Sequence, residues 1–151
     1  MSIDSERPIS NGAIFDAALQ LKDAGLVAAS AAAQVGGQAK IVDIGKGRAE
    51  GDIIIDATAV EVDSSNELYT IIAEFSNSAS FASGIVPGAM LYLGHATGIP
   101  GGGDQNQVEG RYKLPFTNVI NDVHYEYMRL YTLVAGTIAT GVNYSAFATK
   151  R

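Results

Sequence analysis

A chain of 151 residues with a formal net charge of −6, no cysteine, 17% charged and 47% hydrophobic residues suits one domain, burying roughly 70% of the surface its unfolded form exposes. The missing cysteines remove disulfide frameworks, thiolate nucleophiles and Cys-ligated zinc. The ten Lys and Arg residues form no basic run of the kind a phosphate-binding stripe needs, so nucleic acid is not an expected partner.

In chain order, the opening Met1-Ser2-Ile3-Asp4-Ser5-Glu6-Arg7 is polar and lacks the basic and apolar regions of a secretory signal. No stretch nears the ~18 apolar residues of a membrane helix. The expectation is a soluble protein made in the cytoplasm, with no membrane partner. Residues 1–38 are rich in small side chains, including Ala28-Ala29-Ser30-Ala31-Ala32-Ala33, and read as an N-terminal arm, extended or partly helical. Residues 17–25 admit about two helical turns, interrupted by Gly25, or an extended run whose backbone can approach a surface closely.

Residues 39–151 alternate with a period of two and are predicted to form a β-sandwich domain. Residues 52–56 and 60–63 read as two short strands whose inward phase switches from odd to even numbers, which calls for a bulge or corner across Ala57-Thr58-Ala59. Residues 67–75 place Tyr69, Ile71, Ala73 and Phe75 on one face. Residues 124–134 and 137–148 flank Ala135-Gly136 and predict a long antiparallel hairpin. Met128, Leu130 and Val134 point inward on its first limb, and Ile138, Thr140, Val142, Tyr144 and Ala146 share a face on its second. Tyr127, Arg129 and Tyr131 are left together outside, where an Arg can stack on the tyrosine rings. These three are the candidate protein-interface residues, unless they simply cover an ordinary strand face. Short strands between Gly, Pro, Asn and Ser clusters, without βαβ alternation, give an all-β fold: an antiparallel, jelly-roll-like sandwich with an extended N-terminal arm.

The inventory for catalysis is thin. His95 and His124 have no second histidine at metal-ligand spacing and no nucleophile motif beside them. Gly98-Ile99-Pro100-Gly101-Gly102-Gly103-Asp104 lacks the Lys and hydroxyl residue of a P-loop, and Gly45-Lys46-Gly47-Arg48 lacks its strand-to-helix context, so both read as turns. The carboxylate pairs Asp122 with Glu126 and Asp52 with Asp56 leave open whether they converge. Asp63-Ser64-Ser65-Asn66-Glu67 lacks the alternating ligands and central glycine of an EF-hand and is read as an Asx-type turn. No catalytic, metal-binding or cofactor-binding residue is assigned.

The stretch Glu126-Tyr127-Met128-Arg129-Leu130-Tyr131-Thr132-Leu133-Val134-Ala135-Gly136-Thr137 resembles a strand-turn-strand of tailed-phage capsid decoration (cement) proteins related to the Bordetella-phage cement protein. Phe15 to Gly25, Val42-Asp43-Ile44-Gly45 with Gly47-Arg48, residues 67–72 and residues 111–116 are similar to further parts of that family, so the resemblance spans about residues 13 to 148. It implies a jelly-roll-like, non-enzymatic protein of the virion exterior. Such a protein forms small oligomers, a dimer or trimer, and clamps adjoining subunits of the major capsid protein. The Gly101-Gly102-Gly103 insertion departs from the family pattern. A tail-associated or receptor-binding β-sandwich is the alternative, and it calls for aromatic residues exposed beside polar groups.

Overall fold

The computed structural model describes residues 15–97 and 109–150; the opening segment and the Gly98–Asp104 stretch, with its Gly101-Gly102-Gly103 insertion, lie outside the described residues. The described chain is an all-β, antiparallel sandwich of two sheets. Sheet one contains β1 (Gln20–Lys22), β2 (Leu26–Val27), β7 (Glu50–Val60), β10 (Gly110–Thr117) and β14 (Val142–Lys150), in the order β1-β14-β7-β10 with β2 also on β14. Sheet two contains β3 (Ala31–Ala32), β6 (Val42–Asp43), β8 (Leu68–Ser76), β9 (Val86–Gly94) and β13 (Tyr127–Ala135), in the order β3-β13-β8-β9 with β6 also on β13. Two small ribbons, β4 (Gln34–Val35) with β5 (Gln38–Ala39) and β11 (Val119–Ile120) with β12 (Val123–His124), complete it.

The core lies between the sheets and follows the alternation of side chains along each strand. Ile53 and Ile55 of β7, Tyr69, Ile71 and Phe75 of β8, Met128 and Leu130 of β13, and Val142 and Tyr144 of β14 are all 0% exposed. Each such aliphatic side chain contributes roughly 1.5–3 kcal/mol by leaving water. The Tyr144 hydroxyl meets the Thr132 hydroxyl at 2.5 Å and so ties the sheets together across the core. Burial pushes the Tyr144 phenol up to about 12, against a smaller opposite effect of that hydrogen bond.

Residues 20–39 run extended along both sheets. A 3-10 turn at Ala17–Leu19, capped by the Asp16 carboxylate, precedes them. Leu21 sits in the core at 0% exposure, and β1, β2 and β3 are edge strands.

Two local expectations are corrected. β7 is one strand rather than two: Ala57 pairs with Tyr144 and Ala59 with Asn143, so Thr58 is the extra residue that shifts the inward phase, and Glu61 has already left the ladder. Residues 124–134 and 137–148 do not form a hairpin, because β13 belongs to sheet two and β14 to sheet one. Gly136 and Gly141, both at φ +98°, carry the crossover between the layers. A Cβ at Gly136 would lie 2.3 Å from the Asn66 carbonyl oxygen, and one at Gly141 would lie 2.1 Å from that of Val27. A two-residue turn would have paired the strands edge to edge; the longer link lets their apolar faces oppose each other instead.

Candidate functional site

The outer face of sheet two is built by the side chains that alternate with the core. Pairing places Tyr131 beside Ile72 and Ile72 beside Met90, an apolar row across three strands, with Ala32 of β3 continuing it past Tyr131. The next row is Leu133, Thr70 and Tyr92. Met90 is 45% and Leu133 47% exposed. Along the outward positions of β8, β9 and β13, the charged side chains are Glu74 and Arg129, and they neutralise each other: Arg129 Nε donates to Glu74 Oε1 at 2.8 Å.

Tyr127, Arg129 and Tyr131 all stand on this face, half-buried, as the alternation requires. They do not form one stack. The Arg129 guanidinium lies 4.6 Å from the Phe81 ring centre and 5.8 Å from that of Tyr131. Partial burial and then the Glu126 carboxylate raise the Tyr127 phenol above its ordinary value. Phe81 escaped the sequence reading because it sits alone in a Ser- and Gly-rich loop. That loop is folded by its serines: Ser76 Oγ donates to the Ser83 carbonyl at 2.8 Å, and Ser78 Oγ accepts from Ala82 N at 3.2 Å. With Arg129 held between Glu74 and Phe81, the open part of the face lies toward Leu133 and Met90.

The outer face of sheet one has another character. Arg111 makes a two-point ion pair with Asp56, at 2.6 and 2.9 Å, and Arg48 pairs with Glu50. Phe15 packs edge-on against Phe147, ring centres 5.4 Å apart, over a hollow of about 350 Å³ that Gln20 and Ser145 also line.

Three polar clamps hold the loops, and none was legible as such in the sequence. Lys22, 6% exposed, donates to the carbonyls of Asp23, Gly25 and Tyr144 at 3.0, 3.0 and 2.8 Å, and burial lowers its pKa. The Glu61 carboxylate accepts from the amides of Ala139, Thr140 and Gly141 at 3.0, 2.7 and 2.7 Å, and the Gly141 and Thr140 amides foremost hold it below the usual carboxylate range. Asn118, 0% exposed, accepts from Ala49 N at 2.7 Å and donates to the Gly47 and Tyr125 carbonyls at 2.8 and 3.0 Å.

The remaining candidates take structural places. Among the described residues no group of three or more His, Asp or Glu side chains converges to hold a metal. His95 Nδ1 accepts from Thr97 N at 3.1 Å, and His124 lies in the β11–β12 ribbon. Asp56 of the Asp52 and Asp56 pair is engaged by Arg111. Gly45-Lys46-Gly47-Arg48 is the turn between β6 and β7, closed by Asp43 Oδ1 on Gly45 N at 2.9 Å. The turn at residues 63–67 is closed not by Asp63 but by Glu67, which accepts from Ser64 N at 2.7 Å and Asn66 N at 3.1 Å.

No protein-family model matches the chain, and no curated protein matches its sequence.

Proposed function

We propose that the protein is a virion structural protein, a capsid decoration (cement) protein that binds the outer capsid surface and bridges major capsid subunits. The observation that carries the reading is the outer face of sheet two: contiguous apolar rows across β13, β8 and β9, whose outward charged side chains, Arg129 and Glu74, neutralise each other, with exposed Asp43 of β6 at the margin beside Tyr127. Uncharged cores with paired charge at their margin suit contact between protein subunits. β13, which forms one side of that three-strand face, is also the strand that carries the resemblance to phage cement proteins. The chain passes between the sheets from β7 to β8, from β9 to β10 and again from β13 to β14, which supports a jelly-roll-like description. On a repeating shell, many copies with modest individual contacts are retained by avidity when each bridges two subunits. No catalytic step is assigned.

The test is co-sedimentation with empty shells of the cognate phage. Wild type and Lys113→Glu, on sheet one, pellet with the shells, while Leu133→Glu stays in the supernatant. A wild-type protein that never pellets removes the proposal. The alternative, a tail-associated or receptor-binding module, draws on Phe15 and Phe147 beside the Arg111 and Asp56 pair; a handful of copies per particle rather than hundreds would favour it.

A further inference from the structure

Alternation along β7 turns Ile53 and Ile55 into the core and Ile54 away from it, yet Ile54 is 3% exposed. Pairing sets Phe147 on one side of Ile54 and Lys113 on the other, with Gln20 beyond Phe147. The neighbouring row across the same strands is Arg111, Asp56 and Ser145. The outer face of sheet one therefore carries a small apolar layer of its own, where the rings of Phe15 and Phe147 wall the hollow of about 350 Å³. Sites for small molecules have this character, at roughly 300–1,000 Å³ with apolar walls and a few convergent polar groups.

The polar groups that converge here retain hydrogen-bonding capacity. Arg111 donates to Asp56 through one N–H each of Nε and Nη2, at 2.6 and 2.9 Å. The remaining guanidinium N–H groups and the second lone-pair position of each carboxylate oxygen are left for another partner. Among the described residues no hydrogen bond engages the side chains of Gln20 or Ser145, which line the same hollow. Donors thus stand beside acceptors, held in place by a two-point ion pair, next to an aromatic wall. An anion entering the hollow meets the Asp56 carboxylate, and a cation meets the Arg111 guanidinium. A wholly apolar ligand would leave these groups covered and without partners.

We propose that the hollow binds a neutral sugar, one pyranose ring of a glycan, with its C–H face on Phe15 and Phe147 and neighbouring hydroxyls on the Arg111 and Asp56 pair. Each sugar hydroxyl donates and accepts at once, as adjoining donors and acceptors require. The ring C–H groups present slight positive charge to the negative face of a phenyl ring. Gln20 and Ser145 are placed to take further hydroxyls.

The proposed shell contact is made by sheet two, so a copy on the particle leaves this hollow open to solvent, and the two readings fail separately. The experiment is an NMR titration of the full chain, isotope-labelled in phenylalanine, with methyl galactoside, methyl glucoside and methyl mannoside, and with glucuronate as the charged counterpart. At least one neutral glycoside shifts the Phe15 and Phe147 ring signals saturably, with a dissociation constant on the order of millimolar, as suits a shallow site. Arg111→Ala and Phe15→Ala alter side chains that are 59% and 57% exposed and keep the fold; each weakens binding by about tenfold. Leu133→Glu, on sheet two, leaves it unchanged. Ring signals that none of the neutral glycosides moves overturn the proposal. So does glucuronate binding as tightly as the best of them, or binding that both Arg111→Ala and Phe15→Ala leave intact.

Discussion

The two sheets are alike on their inner faces and differ in charge on their outer ones. Each outer side exposes large apolar side chains, Leu26 at 58% and Phe15 at 57% beside sheet one, Met90 at 45% and Leu133 at 47% on sheet two. Inside, β7 and β14 of sheet one and β8 and β13 of sheet two present fully buried aliphatic and aromatic side chains to a common core. Outside, sheet one sets Arg111 against Asp56 and Arg48 against Glu50, and packs Phe15 on Phe147. Sheet two exposes Met90 and Leu133 around a row of apolar side chains and keeps its one ion pair under the Phe81 ring. The difference teaches where to look for function: strand alternation builds the core equally from both sheets, and the residues facing away from it are the ones that set one surface apart from the other.

The largest expected effect tests the likeness. Leu130→Ala in sheet two and Ile55→Ala in sheet one, both 0% exposed, should each destabilise by about 2–5 kcal/mol in urea unfolding; a large cost on one sheet alone would break the idea of a shared core. The contrast between the outer faces comes next. Arg129→Ala leaves Glu74, whose side chain is 17% exposed, without its cation and removes the stacking on Phe81, for a loss of about 2 kcal/mol.

A pH titration of stability separates the clamped crossover from both faces. The folded-state pKa of Glu61 is depressed, so its contribution is fully present above the ordinary carboxylate range and is lost as pH falls through the folded value. Glu61→Gln should therefore unfold at lower temperature than wild type at pH 7, and the two melting curves should converge in acid. Smallest of all, Arg111→Ala on sheet one breaks an ion pair whose side chains are 59% and 33% exposed, and should cost less than about 1 kcal/mol, vanishing in high salt.

Much of this architecture was legible because strand alternation is local. Tyr69, Ile71, Ala73 and Phe75, the bulge within residues 57–59, and the outward set Tyr127, Arg129 and Tyr131 all follow from period-two patterning. Which sheet a strand joins is not local. Ala135-Gly136 has the composition of a hairpin turn, yet Asn66 takes hold of Thr137 and Glu61 of residues 139–141, and the chain is drawn across the sandwich. Long-range polar clamps of this kind leave no spacing signature, since Lys22 reaches Tyr144 and Asn118 reaches Ala49 only once the fold exists. For the same reason Arg129 could be assigned tyrosines as partners while its nearer ring, Phe81, went unseen.

The most direct test of the proposed docking face is a cryo-microscopy reconstruction of decorated particles at side-chain resolution. The account predicts hundreds of copies on the outer shell, with Tyr131, Ile72 and Leu133 turned toward capsid subunits and the Arg111 and Asp56 pair turned toward solvent. Particles without this protein, or a shell contact made through the face of sheet one, would contradict it.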